Sequence, residues 1–405
     1  MRKNRDFQTF WTSQVFSTLG TSATSVAFPL VVLLETGSAT QAGLVGFAQT
    51  LPFLIWFLPA GALVDRLDRK RIMKVAELVR FVGMLSLVIT FAGGWFSISH
   101  VMAIAFIEGS ALVFFELAEA AALPHIVSKD NLSKAIAQNQ GRQQVANLAG
   151  PPIGGLLVSV GRAVPFAFDA FSYAVSFIAL NLIRPGFQEQ RQEPNQSLVS
   201  DIRIGVEWLW RNAFLRTISF LVAVWNFMLM ALILTLIVSA RELGASPTMV
   251  GVVTAAFGLG AMGGVFLAPR AQEWLPGRTI IIGATLVWAA SLVVLAAATR
   301  PWQLAAVVTV AGTASPVFQV MIGRYRYALT PDELQGRMLS ASRVVGWGAI
   351  PLGSVVAGFS IDAFGADTTL QLLAGLMALT ALLAALSTSL RTDPIAEPAT
   401  SPATD

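Results

Sequence analysis

Hydrophobic runs of roughly 20 residues, each long enough to cross a ~30 Å hydrocarbon layer, recur through nearly the whole chain. A soluble core has no use for so many. Of the 405 residues 55% are hydrophobic and 12% charged, where soluble domains carry about 25% charged residues. The runs place spans at 11–34, 42–63, 73–94, 98–121, 142–160, 163–184, 217–239, 248–269, 279–298, 302–323, 343–361 and 367–390. The expected fold is therefore all-α and integral to a membrane, with twelve transmembrane helices.

Several function classes fall away. There is no cysteine, and the two histidines, His100 and His125, stand far apart, so no metal site is expected. No GxxxxGK[ST] loop and no Ser/His/Asp constellation is present, which argues against ATP use within the chain and against an enzyme. No cofactor is implied. Arg2, Lys3 and Arg5 precede an apolar run too long for a signal peptide, so that run reads as a retained first span. Lys and Arg gather on one side, with Arg66, Arg69, Lys70 and Arg71 the densest group, against Arg162, Arg241 and Arg300 on the other. This bias sets both termini in the cytoplasm and explains the net charge of +4 by contact with anionic lipid, without nucleic acid.

The second half echoes the first. Asp130-Asn131-Leu132, Arg142 and Pro152-Ile153-Gly154 find counterparts in Asp332-Glu333-Leu334, Arg343 and Pro351-Leu352-Gly353, and Gly61 in Gly264. Such parallel repeats are common in transporters. The chain divides into a first six-helix bundle over 1–184, a cytoplasmic loop over 185–215, a second bundle over 216–391 and a disordered tail over 392–405 rich in Pro, Ala and Thr.

The stretch Gly61-Ala62-Leu63-Val64-Asp65-Arg66-Leu67-Asp68-Arg69-Lys70-Arg71 resembles the loop between the second and third spans of the major facilitator superfamily, with Asp68 where that family has glycine. The resemblance covers essentially the whole chain. It implies a conformational latch made of Gly61, Asp65, Arg66, Arg69 and Lys70, with Gly61 admitting close helix approach and Arg69 bridging to the other half. Gly150, Pro151, Pro152, Gly154 and Gly155 are similar to the family's antiporter motif, a segment able to bend or to seal. The segments 122–132 and 330–337 look like the branch containing macrolide efflux proteins and siderophore exporters.

Ionisable groups inside a membrane are costly and mark function by default. Glu108, near the middle of the fourth span, is the first candidate for proton coupling, and Asp169 in the sixth is the second. Glu77, Glu116, Glu119, Arg142 and Arg343 lie near the inner ends, where pairing with each other or with Arg69 would complete the latch. Arg80 either meets a fourth-span carboxylate or snorkels. Gln14, Ser17, Thr21 and Ser22 in the first span, and Trp225, Asn226 and Met230 in the seventh, are expected to wall a substrate cavity. Sparse polarity among aromatic side chains suits an amphipathic organic solute better than a sugar.

The function expected is proton-coupled efflux of small hydrophobic or amphipathic compounds, such as an antibiotic, drug or siderophore, by alternating access in a bacterial inner membrane. The partners would be the small-molecule substrate, protons and membrane lipid, with the chain a monomer. An uptake symporter or lipid and nutrient transporter of the same fold is the first alternative, and a non-transporting sensor or scaffold the second.

Overall fold

Residues 5–183, 187, 206–331 and 334–391 are described in a computed structural model, and among them every regular element is helical. The first six helices are α1 (Arg5–Thr36), α2 (Ala39–Arg66), α3 (Arg69–Ala92), α4 (Ile98–Ile126), α5 (Leu132–Val160) and α6 (Val164–Leu182). The rest are α7 (Ala213–Glu242), α8 (Pro247–Trp274), α9 (Gly277–Ala296), α10 (Pro301–Leu329), α11 (Gln335–Gly348), α12 (Ile350–Phe364) and α13 (Ala366–Leu386). Most of the 185–215 loop, the tail from 392, and Asp332 and Glu333 lie outside the described residues, as does the side chain of Arg337.

Local chemistry explains where these helices start. Ser38, Asp68, Asn212 and Ser246 each occupy an N-cap, and the side chain of each accepts a hydrogen bond from a backbone N–H of the first turn. Asp68 thus has a defined job: its Oδ1 accepts from the Arg71 N–H at 2.7 Å, and its backbone is extended rather than left-handed. A glycine there would leave that N–H without this partner.

Among the described residues eleven stretches are long and apolar enough to cross a membrane. The expected fifth span is not among them: α5 begins at Leu132, ten residues ahead of the expected 142, and its start carries Lys134, Asn139, Gln140 and Arg142. The expected eleventh span, 343–361, is divided at Ala349. Pro351 at the second position of α12 has no N–H to continue the ladder, so the chain ends one helix and starts another.

Helices α1 to α6 pack mainly on one another, as do α7 to α13. The two sets meet along two broad seams, α2 against α12 and α5 against α8. Both seams lie at the end of the molecule remote from the termini, where α1, α5, α7 and α12 finish and α2, α6, α8 and α13 begin. One hydrophobic core runs across both sets there, from Leu30 and Val31 through Val45 to Leu236, Ile237 and Val250. Nearer the termini the first set keeps a core of its own, with Phe10, Met73, Phe115, Leu123 and Phe187. Among the described residues the two sets are thus joined chiefly at the far end.

Candidate functional site

Arg80 on α3 is 2% exposed and sits in the middle of the first helix set. Its Nη2 donates to Glu108 Oε1 on α4 at 3.0 Å, to Thr21 Oγ1 on α1 at 2.7 Å and to the Tyr173 hydroxyl on α6 at 2.6 Å. The guanidinium also lies 4.0 Å from the centre of the Tyr173 ring. Of the two open readings for Arg80, pairing with a fourth-span carboxylate is the one adopted. Glu108 is accordingly ion-paired rather than isolated among apolar groups, and it accepts further bonds from Tyr173 and from Gln49 of α2, both at 3.4 Å.

Glu77 does not join the inner-end cluster with Arg69. It is fully buried one helical turn before Arg80, its Oε2 3.9 Å from Arg80 Nη1, while its Oε1 accepts from Ser176 at 2.6 Å and Ser17 at 3.3 Å. Gln14 extends the chain by donating to Ser176 Oγ at 2.7 Å. Asp169, also fully buried, accepts from Thr24 at 2.7 Å and Ser172 at 3.1 Å. One guanidinium therefore pairs with two buried carboxyls, and a third lies buried on the neighbouring α6. So many ionisable groups in so dry a place are costly to bury.

This network opens onto a cavity of about 190 Å³ lined by Gln14, Ser17, Thr21, Ser22 and Arg80 together with Leu112, Phe115, Glu116, Glu119, Arg142 and Asn147. Four members of that lining, Gln14, Ser17, Thr21 and Ser22, come from the polar stripe on α1. Glu119 pairs with Arg142 at 2.8 Å beside it, whereas Glu116 lines the space and makes no ion pair with any described residue. In the second set the expectation fails for Trp225. That ring is buried, stacked 4.2 Å from Phe318 and tilted against Trp288 at 5.0 Å, because an indole in a helix bundle gains most from aromatic neighbours. Asn226 donates to the Gly346 carbonyl at 2.9 Å, and Met230 packs against Gly353, so both serve the contact of α7 with α11 and α12.

Among the expected latch residues, Arg343 of the second set meets a ring of the first, while Arg69 and Lys70 hold carbonyls within the first set. Arg69 donates to the Ala121 carbonyl at 2.7 Å and pairs with Asp65 at 3.8 Å, and Lys70 donates to the Ile183 carbonyl. These partners all belong to the first set. Arg66 is exposed, and no atom stands within 4 Å of where a Gly61 side chain would begin. The close approach expected of Gly61 is made instead by its counterpart Gly264, against Thr313 on α10. Arg343 lies over the rings of Phe57 and Trp347, at 5.6 and 5.4 Å.

The antiporter-like segment forms one of the two far-end seams. Gly150 and Gly154 press on Ser22 and Ala23 of α1, and Gly155 presses on the backbone of Pro247 in α8. Gly251 of α8 returns the contact against Pro151. The other seam repeats the pattern: Gly43 of α2 meets the Ser354 carbonyl, and Gly358 meets that of Ala39. Asp362, at the end of α12, finishes this seam by accepting from the backbone N–H groups of Ala39 and Thr40, both at 2.9 Å, and from the Ser38 hydroxyl at 2.7 Å. A carboxylate of one set thereby caps the first turn of a helix in the other.

Residues 2–401 match the family model described as Transmembrane secretion effector. The chain belongs to that family, within the major facilitator superfamily. Its relatives include the Multidrug efflux pump Tap of Mycobacterium tuberculosis, 28% identical over 91% of both chains, and Tap of Mycolicibacterium fortuitum, 25% identical over 90% of this chain and 91% of that one. Macrolide efflux protein A of Streptococcus pyogenes is 23% identical over 89% and 90%. Among solved structures, the nucleoside transporter NupG superposes with a TM-score of 0.77 over 96% of this chain and all of that one. A bacterial homologue of ferroportin in its inward-facing state gives 0.73 over 95% and 99%. At 11% identity both show the fold alone.

Within this transporter fold, sequence reasoning missed Tyr173, Ser176, Gln49 and Asp362. Tyr173 stood in the stretch 168–173 beside Asp169, but one tyrosine in an apolar span reads as packing. Asp362 was readable as an acid beside a helix end, and Ser38 as a cap. Nothing in the sequence says that the two meet.

Proposed function

We propose that the protein is a proton-coupled exporter of small, largely hydrophobic organic compounds, an antibiotic or siderophore among them, in a bacterial inner membrane. The observation that carries the reading is the gathering of Glu77 and Glu108 on the single guanidinium of Arg80, with Arg80 and Thr21 at the wall of the cavity. A carboxyl in that network that gives up its proton leaves a charge with only Arg80 to answer it, and proton occupancy thereby biases which arrangement of the two helix sets is favoured. The names of the relatives, Multidrug efflux pump and Macrolide efflux protein, support the outward direction. The Lys/Arg asymmetry supports termini in the cytoplasm, which makes the far end, where the two sets join, periplasmic. In this reading the two six-helix sets are rigid halves, basic loops rest on inner-leaflet lipid, and a monomer suffices because the cavity is complete within one chain.

The test is ΔpH-driven uptake of a dye and antibiotic panel into inverted vesicles, with wild type set against Glu108→Gln. Uptake in wild type that is lost in the variant is the expected result. Uptake that survives moves coupling to Asp169 or Glu77, and a panel in which no compound responds to ΔpH removes the exporter reading in favour of import.

A further inference from the structure

We infer that Arg326 and Arg343 form a docking site for the oxyanion of a carried compound, a carboxylate or its like on an apolar body, which rests on the transport reading above. The internal repeat supplies the first argument. In the first half Arg142 is neutralised by Glu119, 23 residues earlier in the chain. Arg343 is the counterpart of Arg142, and at the same spacing before it stands Val320, 45% exposed and unable to accept a hydrogen bond. The duplication kept the cation and not its carboxylate.

The surroundings of Arg343 supply the second. No carboxylate of the described residues pairs with it, and its guanidinium rests on the faces of Phe57 from α2 and Trp347 from α11. Arg326, in the last turn of α10 and within electrostatic reach of Arg343, has Nε and Nη2 buried without a partner among the described residues. A guanidinium with orphaned donors and one seated only on aromatic rings are both relieved by a single anion. The planar fork of arginine fits a carboxylate or phosphate oxygen pair in particular. Phe57 belongs to the first half and Trp347 to the second, so the apolar body of the ligand would lie between the halves. The first half, with unpaired Glu116 on its cavity wall, gives an anion no comparable welcome.

The phosphate of a phospholipid headgroup carries the same chemistry, and the experiment separates the two sources. Binding of 2-naphthoate and of its neutral amide, 2-naphthamide, is measured by equilibrium dialysis on the purified full chain in phosphatidylcholine nanodiscs. The expected result is a preference for the carboxylate of at least ~10-fold, since hydrogen bonds to charged groups are the stronger ones. Arg326→Gln and Arg343→Gln should bring the ratio towards unity while amide binding persists. Arg343→Lys, which keeps the charge and loses the fork, should fall between and serves if the Gln variant does not fold. Equal binding of acid and amide by the wild type, or a preference that survives both Gln substitutions, overturns the site. If phosphatidylglycerol in the nanodisc weakens naphthoate binding in wild type and not in Arg343→Gln, the site stands and lipid phosphate is an occupant. Dye uptake by wild-type inverted vesicles is scored separately. Uptake without a carboxylate preference removes the site and leaves export; the preference without uptake does the reverse.

Discussion

Arg80 shows what a membrane-buried cation demands. Its Nη2 reaches Glu108, Thr21 and Tyr173, and the Tyr173 ring covers the guanidinium. Removing one member of a buried pair strands the other and costs about 3–5 kcal/mol, whereas removing both with apolar replacements is far cheaper. Arg80→Leu and Glu108→Leu should therefore each lower the melting temperature in detergent strongly, and the double variant should fall well short of their sum. Additive losses would mean that the two side chains are not energetically coupled. Much of this was legible in the sequence, because a carboxyl or guanidinium inside an apolar run stands out. The choice of partner was not: Arg80 had two outlets on sequence grounds, and Glu77 was open to pairing with the inner-end groups or with Arg69, since helix spacing fixes neighbours on one helix and not those across from it.

At the scale of elements, α2 and α12 and then α5 and α8 approach closely enough for Cα–H surfaces to meet carbonyls. A Cβ on Gly251 would run into the Pro151 backbone, which has no flexible end to move aside. Gly251→Val should part the far-end seam, read as greater labelling by a membrane-impermeant thiol reagent of a cysteine placed at Ser246. No added labelling would show that the seam yields. Asp362 works at the other seam, where its carboxylate meets the positive end of α2. Asp362→Asn retains the shape and loses the charge, a change worth roughly 0.3–1 kcal/mol at a helix terminus. It should raise far-end labelling modestly, and equal labelling in wild type and variant would remove Asp362 from the closure. The sequence displayed the spans through their length, but not the polar start of α5 or the break at Ala349, which depend on what packs beside them.

For the whole molecule, the absence of native cysteine leaves a clean background for locking one arrangement of the halves. A Cβ on Gly46 would lie 3.1 Å from that of Ser354 across the seam. The pair Gly46→Cys and Ser354→Cys should form a disulfide under oxidation, given that bridged Cβ atoms sit about 3.5–4.5 Å apart and the seam must give slightly. Transport should stop on oxidation and return with reductant, as measured by gel mobility and vesicle uptake on the same sample. Transport that continues in the bridged protein would mean that the far end never opens. Which end is closed could not be read from the sequence, since the glycines that close it touch backbone atoms of residues about a hundred to three hundred positions away.

The far-end closure is built from glycine against carbonyl, so its fit depends on main-chain shape and on the lack of side chains at a few positions. The cavity is built the other way, from side chains that can be exchanged one at a time. Selection for a new compound can therefore redraw the cavity wall and leave the closing mechanism untouched. In populations adapting to an unfamiliar toxin, gain-of-resistance alleles should fall among the cavity-lining positions, while Gly43, Gly155, Gly251 and Gly358 stay fixed.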